Sequence, residues 1–577
     1  MAAPMSPVVR RLGWVPKYGG DLAAMPDLLD LAVRLVAAGD RTFQALTPAL
    51  ALLSSEEGGD STLSIGERLL PVLVAARPDL ETARQDLIAA DQIRQRLPAD
   101  RLSPRVAGLL ARLDRYLPWF ETALDAALLA PDLMGAEGPR TYLVVAQNNQ
   151  ELRPTGGFIS GVGELSLEQG RIGSLHFDDS YAVDNFRVPQ DLPSEDFRRV
   201  LRGDLLLFRD ANWDPDFPTS ARRMLDIYAR NRNVRADGLV ALDLTAVQLL
   251  VEALGPLHAE GIAEPVTGDN VLDVIQAQWG EGANDKKDWW RHRKDFMGQI
   301  AAAAMQRLMT GQDVQPVKLA QALKRGLDEK HILLYLDDPQ AAGLVRKHNW
   351  DGALISPSLP SDQLLVVDSN VGFNKVDANI TRAIHYQVDL SDRKRPQARL
   401  TLTYRNHSTR HVDECIQESH YGDTYADMIN RCYWDYLRVY VPAGSRLLEG
   451  PGPHLPPGSL LARMEGPLPD PPISPTLSTG DREVWTAFFD LAPQSEQVLT
   501  FDYQLPGSVL EQGEDGVMIY RLYVQKQPGT EAVPLQVEIT LPPDAELIKS
   551  IPADLAAWTT DLRVDREFTI MWKPGDP

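Results

Sequence analysis

Basic charge, cysteine and long apolar runs are all scarce in this chain, and each scarcity removes a class of function. Against 80 Asp and Glu stand 58 Lys and Arg, a net charge of -22. That balance argues against a nucleic-acid partner, which would call for a basic stripe on some face. No run approaches the roughly 20 apolar residues that cross a bilayer. The start, MAAPMSPVVRRLGWVPKYGGDLAAMP, also lacks the apolar core of a signal peptide. The expectation from the given chain is a soluble protein without a transmembrane segment. Cys415 and Cys432 are the only cysteines. Both fall in one irregular segment between expected strands, and the sequence leaves open a bridge suited to an oxidising compartment or two buried thiols.

What is present indicates a multidomain α and β protein. A length of 577 residues exceeds one core and suggests roughly three to four domains. Residues 1–137 read as a helical N-terminal bundle or stalk. Apolar residues recur at three and four spacing in LLDLAVRLVAAGDRTFQAL, LLPVLVAARPDLETARQDLIAADQI and VAGLLARLDRYLPWFETALDAALL, with breaks at Ser54 to Asp60 and Leu97 to Arg105. Residues 138–360 alternate strands and helices, as a central layered α/β domain would. Tyr142 to Ala146 is an expected buried strand, Phe158 to Leu167 and Arg171 to Phe177 an expected hairpin, and Trp289 to Met309 an expected long helix. Residues 361–577 read as a C-terminal β-sandwich region of one or two modules, from short alternating runs such as Ala398 to Tyr404 and Tyr436 to Val441.

The densest chemistry follows the first strand, in Gln147-Asn148-Asn149-Gln150-Glu151-Leu152-Arg153-Pro154-Thr155-Gly156-Gly157-Phe158. Amides, a carboxylate, an arginine and a Gly-Gly step lie where a strand of an α/β sheet runs out, the place where ligand-handling residues collect. This wording resembles the signature of a bacterial family known as domain of unknown function 4012, which has no assigned activity. Its relatives commonly carry an N-terminal membrane anchor and sit outside the cytoplasmic membrane. The resemblance therefore implies an extracytoplasmic, cell-envelope location. The missing anchor leaves open a removed anchor, a misplaced start or a cytoplasmic copy.

The order of motifs in the central domain also resembles, more distantly, the LytR-CpsA-Psr family, which moves glycopolymers from a polyprenyl pyrophosphate carrier onto peptidoglycan. Four pieces carry the likeness: Arg153-Pro154-Thr155; Phe177-Asp178-Asp179-Ser180-Tyr181; Ala236 to Asp243 followed by Val251 to Pro256; and Asp288-Trp289-Trp290-Arg291-His292-Arg293-Lys294-Asp295-Phe296. It implies a polyprenyl-pyrophosphate-linked or related anionic glycan as ligand, bound by Arg153, Arg209, Asn212, Arg291 and Lys294. Asp179 and Asp210 would act as catalytic base or as ligands of Mg²⁺. If the chain is an enzyme, it would be a phosphotransferase-like glycopolymer transferase. Chemistry supports the anion-binding part, since Arg291, Lys294 and Gly298 share a face of the expected helix and a helix N-terminus adds amide donors. Two departures weaken the enzymatic part: Thr155 stands where the family has an aspartate, and Asp178 where it has an arginine. The rival reading is a non-catalytic surface scaffold or adhesion-type binding protein with a degenerate transferase-like domain.

Several features have plainer explanations. Asp210, Asn212, Asp214 and Asp216 alternate as calcium ligands do, but Pro215 and Ala221 stand where an EF-hand needs Gly and Glu. Asx turns leading into a helix at Pro218 account better for Asp214 and Asp216. Gly156 and Gly157 serve a bulge as readily as a ligand. The amides from Gln147 to Asn149 and Glu151 form either an internal network or a ligand shell. Arg153, if buried, requires an anion or a structural carboxylate. His176 and His292 have no nucleophilic partners at recognisable spacing, and Trp289-Trp290 fits a lipid lip or ordinary packing.

Overall fold

The structure is a computed structural model that describes residues 18–54, 63–97, 101–280, 294–311, 314–419, 423–478, 482–513, 516–553 and 556–575. Three long helices come first among the described residues, α1 (Gly19–Ser54), α2 (Ile65–Arg96) and α3 (Pro104–Leu133). Their starts are encoded locally. Ser64 and Glu67 form a reciprocal capping box, and the Ser103 hydroxyl accepts from Val106 N with Pro104 in the first turn. Buried Leu31, Leu80, Leu87, Leu117 and Leu124 join the three helices, the stripe that the three and four spacing anticipates. No described helix is long and apolar enough to cross a membrane.

The central region holds a five-stranded sheet in the order β3-β2-β1-β4-β5. Its strands are β1 (Arg140–Asn148), β2 (Phe158–Glu168), β3 (Arg171–Asp179), β4 (Gly238–Leu242) and β5 (Ile332–Leu336). Only β1 and β4 run parallel; the other neighbouring pairs are antiparallel. The side-chain alternation of β1 divides the sheet between two layers. Leu143 and Val145 pack with Leu239, Ala241 and Leu333 against Phe217, Met224 and Ile227 of α4 (Phe217–Arg232). Val144 and Ala146 face the opposite layer. That layer is built by α5 (Leu244–Leu254), α6 (Val271–Gly280), α7 (Asp295–Thr310) and α8 (Pro316–Asp328).

Lys294 is the N-cap of α7, with φ -124° and ψ 7°, so the expected shared helical face of Lys294 and Gly298 does not exist. Arg291, Trp289, Trp290 and His292 lie outside the described residues.

The remainder is β-rich. One sheet of six strands runs in the order Arg446–Glu449, Glu496–Gln504, Gln397–Asn406, Ile380–Asp389, Pro534–Thr540, Ala557–Asp561. A second, of eight, is centred on Tyr433–Pro442, Asp362–Val367 and Met518–Gln525. Side chains from both sheets share one core, including Tyr386, Leu400, Leu437, Trp485, Tyr520 and Trp572. Cys415 and Cys432 are joined by a disulfide with Cα atoms 5.7 Å apart, beside Trp434 and Leu461.

Candidate functional site

The turn after β1 is built as a clasp. Gln147 uses its whole amide internally: Nε2 donates to Thr155 O at 3.0 Å, and Oε1 accepts from Gly157 N at 3.2 Å and from Asn212 Nδ2 at 2.8 Å. Asn212 also donates to Gly157 O at 2.8 Å. Gly157 is obligatory here, since a Cβ at that position would lie 2.3 Å from the carbonyl carbon of Asn148. The next residues are stitched to the β-rich region. Leu152 N donates to Asp377 Oδ2 at 3.0 Å, Asp377 N to Gln150 O at 3.1 Å, and Asn370 N to Leu152 O at 3.0 Å. For Gln147 the internal-network reading prevails, and the signature joins two parts of the chain.

Around this clasp the cations gather on two aromatic rings. Arg153, 2% exposed, lies 5.7 Å from the centre of the Phe158 ring and pairs with Glu151 at 3.3 Å. Glu151 meets Lys375 on its other oxygen at 3.5 Å. Burial pushes the Glu151 carboxyl upward, against the pull of Lys375 and Arg153. The structural carboxylate foreseen for Arg153 is therefore in place, yet its Nη1 is buried with no partner among the described residues.

Lys294 sits 5.9 Å from the Phe158 ring and 5.2 Å from Tyr181, with Nζ donating to Ser160 O and Asp179 Oδ1, each at 2.7 Å. Arg209 lies 4.5 Å over the Tyr181 ring and 3.5 Å from the Asp210 carboxylate. Asp210 is pushed up by burial, with Arg209 and Arg153 opposing. Thus Arg153, Lys294, Arg209, Asp179 and Asp210 converge on Phe158 and Tyr181. Asn212, fully buried, lies behind the clasp with its Oδ1 unpartnered among the described residues.

These acids do not fit Mg²⁺. The Lys294 ammonium occupies the place a cation would take on Asp179, and burial favours the protonated form of Asp210. No cluster of three His, Cys, Asp or Glu suited to a metal occurs among the described residues. Asp214 and Asp216 form the expected turns: Asp214 Oδ1 accepts from Asp216 N at 2.9 Å, and Asp216 caps α4 through Thr219 N at 3.1 Å.

Beside the cations lies a cavity of about 350 Å³ between the sheet and the second helical layer. Val144, Ala146 and Leu242 form one wall, with Val247 and Val251 of α5 and Phe296, Ile300 and Ala304 of α7 opposite. Its polar margin is Gln147, Asn148, Ser160 and Tyr425, and Ser160 is the residue whose carbonyl holds Lys294. Trp279 and Tyr425 also line it, edge to face at 6.1 Å, with Lys375 5.1 Å from the Trp279 ring. Sequence reading missed Trp279, Lys375 and Tyr425. They lie up to 277 positions from Asn148, whose amide donates to the Tyr425 hydroxyl, and no local pattern joins them.

Residues 137–279 match the family model DUF4012, protein of unknown function. The DUF4012 match spans β1 to α6 and takes in Arg153, Asp179, Arg209, Asp210 and Asn212, while Lys294 and Lys375 lie beyond it. No curated protein matches the chain. Among solved structures it is similar to the transcriptional regulator yvhJ from Bacillus subtilis, at 10% identity over 37% of this chain and 76% of that one, with a TM-score of 0.21. The Lin1025 protein from Listeria innocua gives 8%, 39%, 85% and 0.19 on the same measures. An M1 zinc metallopeptidase from Deinococcus radiodurans gives 12%, 34%, 42% and 0.17. Scores this low carry no argument about fold or activity.

Proposed function

We propose that the central domain of this protein is a LytR-CpsA-Psr-like module that binds a polyprenyl-pyrophosphate-linked or related anionic glycan in the cell envelope. The observation that carries the reading is the apolar cavity of about 350 Å³ opening beside Lys294. Its size falls in the range of roughly 300–1,000 Å³ typical of small-molecule sites. An apolar wall next to fixed cations suits an amphiphile with a hydrocarbon tail and an anionic end. The engagement of Asp179 by Lys294 and the burial of Asp210 favour binding without transfer. On this reading the two C-terminal sheets form one β-sandwich that serves as a platform for the module. The Cys415–Cys432 bridge supports an oxidising, extracytoplasmic location.

The test is calorimetric titration of the full chain with a short-chain prenyl pyrophosphate, beside the prenyl alcohol of equal length and an Ala304→Trp variant that fills the cavity. The reading expects saturable binding, at least tenfold weaker for the alcohol and tenfold weaker for the variant. Absence of binding to the folded wild-type chain would sink it.

A further inference from the structure

A second, larger space lies on the other side of the clasp. It measures about 510 Å³ and opens between the central domain and the β-rich region. Leu244, in the first turn of α5, lines both spaces. Asn148 faces the apolar cavity, while its neighbours Asn149 and Gln150 face the cleft. The two spaces therefore flank one turn of chain, one apolar and the other rich in amides.

The cleft's polar groups are not all used by the fold. Asn149 donates through Nδ2 to Gly529 O at 3.0 Å and Thr245 Oγ1 at 3.3 Å, yet its Oδ1 is buried with no partner among the described residues. Such an orphan acceptor costs about 1–3 kcal/mol unless something donates to it. Gln150 accepts the Tyr425 hydroxyl on Oε1 at 2.5 Å, and neither its Nε2 nor the Gln248 amide has a hydrogen bond within the described residues. Charge does not accumulate: Arg382 is already held by Asp368 and Asp377, and Glu531 is exposed.

Two occupants are disfavoured by this arrangement. The lining carries two acids, Asp377 and Glu531, against one base, Arg382, which does not suit a polyanion. An extended peptide would need an open strand edge. The strands reaching the cleft, Ile380–Asp389 and Pro534–Thr540, are interior to their sheet, and their mutual ladder starts at Ile384 and Leu535, which leaves the short stretch from Ile380 to Ala383 paired on one side. A neutral, hydroxyl-rich ring system fits, since it can accept from the Gln150 and Gln248 amides and lay apolar faces on Ile380 and Val533.

We propose that the cleft is the binding site for the sugar portion of the amphiphile, an uncharged short oligosaccharide, placed across the Asn148–Gln150 turn from the apolar cavity. This rests on the carrier-binding reading above and adds the specificity site for the headgroup. The full chain is titrated with a short-chain prenyl pyrophosphate and with the same carrier bearing an N-acetylhexosamine disaccharide, for wild type, Gln248→Leu and Gln248→Trp. The expected result is at least tenfold tighter binding of the glycosylated carrier to wild type. That gain should shrink in Gln248→Leu and vanish in Gln248→Trp, while binding of the bare carrier, which also reports folding, stays unchanged in all three. Equal affinity for the two carriers, or a gain that survives Gln248→Trp, overturns the cleft assignment and leaves carrier binding standing. Failure of both carriers to bind wild type overturns the two readings together.

Discussion

Replacing Gly157 with alanine tests whether the signature turn is held as rigidly as its contacts imply. The added Cβ would meet backbone atoms of Asn148 and Asn149 at 2.3, 2.4 and 2.5 Å. None of these can swing away as a flexible side chain would. The glycine cannot retreat either, because its N–H is held by Gln147 and its carbonyl by Asn212. Overpacking against fixed atoms costs about 1–3 kcal/mol, and the clasp hydrogen bonds to Asp377 and Asn370 would weaken with it. Gly108, inside α3 with nothing within 4 Å of its prospective Cβ, is the internal control. There alanine should stabilise by about 0.5–1 kcal/mol, the ordinary helix-interior gain. Thermal and denaturant unfolding of the two variants beside wild type should therefore give shifts of opposite sign. A Gly157→Ala protein as stable as wild type would refute the rigid-clasp account, whatever Gly108→Ala does.

Other expectations follow from the β-rich region. The Asp362 carboxyl accepts hydroxyls from Tyr386 and Tyr520, each at 2.6 Å, and burial pushes it up to about 6. An acid raised in the fold binds its proton more readily folded than unfolded, so stability should fall as pH rises from about 4 to about 6, by roughly 3 kcal/mol. Unfolding measured across that window should lose this component in Asp362→Asn, and an unchanged pH dependence would contradict the assignment. Lys526 is buried with Nζ on Gln527 O and Thr530 O, and burial lowers it to about 7. A base depressed in the fold makes stability rise with pH above about 7; Lys526→Met should remove that rise, as melts between pH 7 and 9 would read. Reducing the Cys415–Cys432 bridge, which spans 17 positions, should cost about 3 kcal/mol. Denaturant unfolding with and without reductant measures this, and coincident curves would contradict it.

Much of the architecture is legible where local chemistry decides it. The runs Gly238–Leu242 and Ile332–Leu336 read as strands because short apolar stretches are bounded by turn residues, and both are strands in the fold. The hairpin about Glu168 to Gly170 and the turns of Asp214 and Asp216 ahead of α4 are equally local. Strand direction was not, because nothing within Ile332–Leu336 specifies that it runs antiparallel to β4. The helix expected from Trp289 has its N-cap at Lys294, whose ammonium turns to Ser160 and Asp179, contacts that lie more than a hundred positions away and that no local pattern announces. Glu151 was visible as the local partner of Arg153, but Lys375, its second cation, is 224 positions away. The cavity is harder still, since its walls come from strands and helices between Val144 and Tyr425, each of which reads alone as ordinary core.

Photo-crosslinking is the most direct test of the claim that the central domain holds a lipid-linked anion. A prenyl pyrophosphate with a photoreactive group at the end of its tail is irradiated with the full chain, and labelled peptides are identified by mass spectrometry. The account predicts label on α5 between Leu244 and Leu254 and on α7 between Phe296 and Leu308, competed by unlabelled carrier and lost in Ala304→Trp. Label spread over the exposed faces of α1 to α3, or none above a lipid-free control, would contradict it.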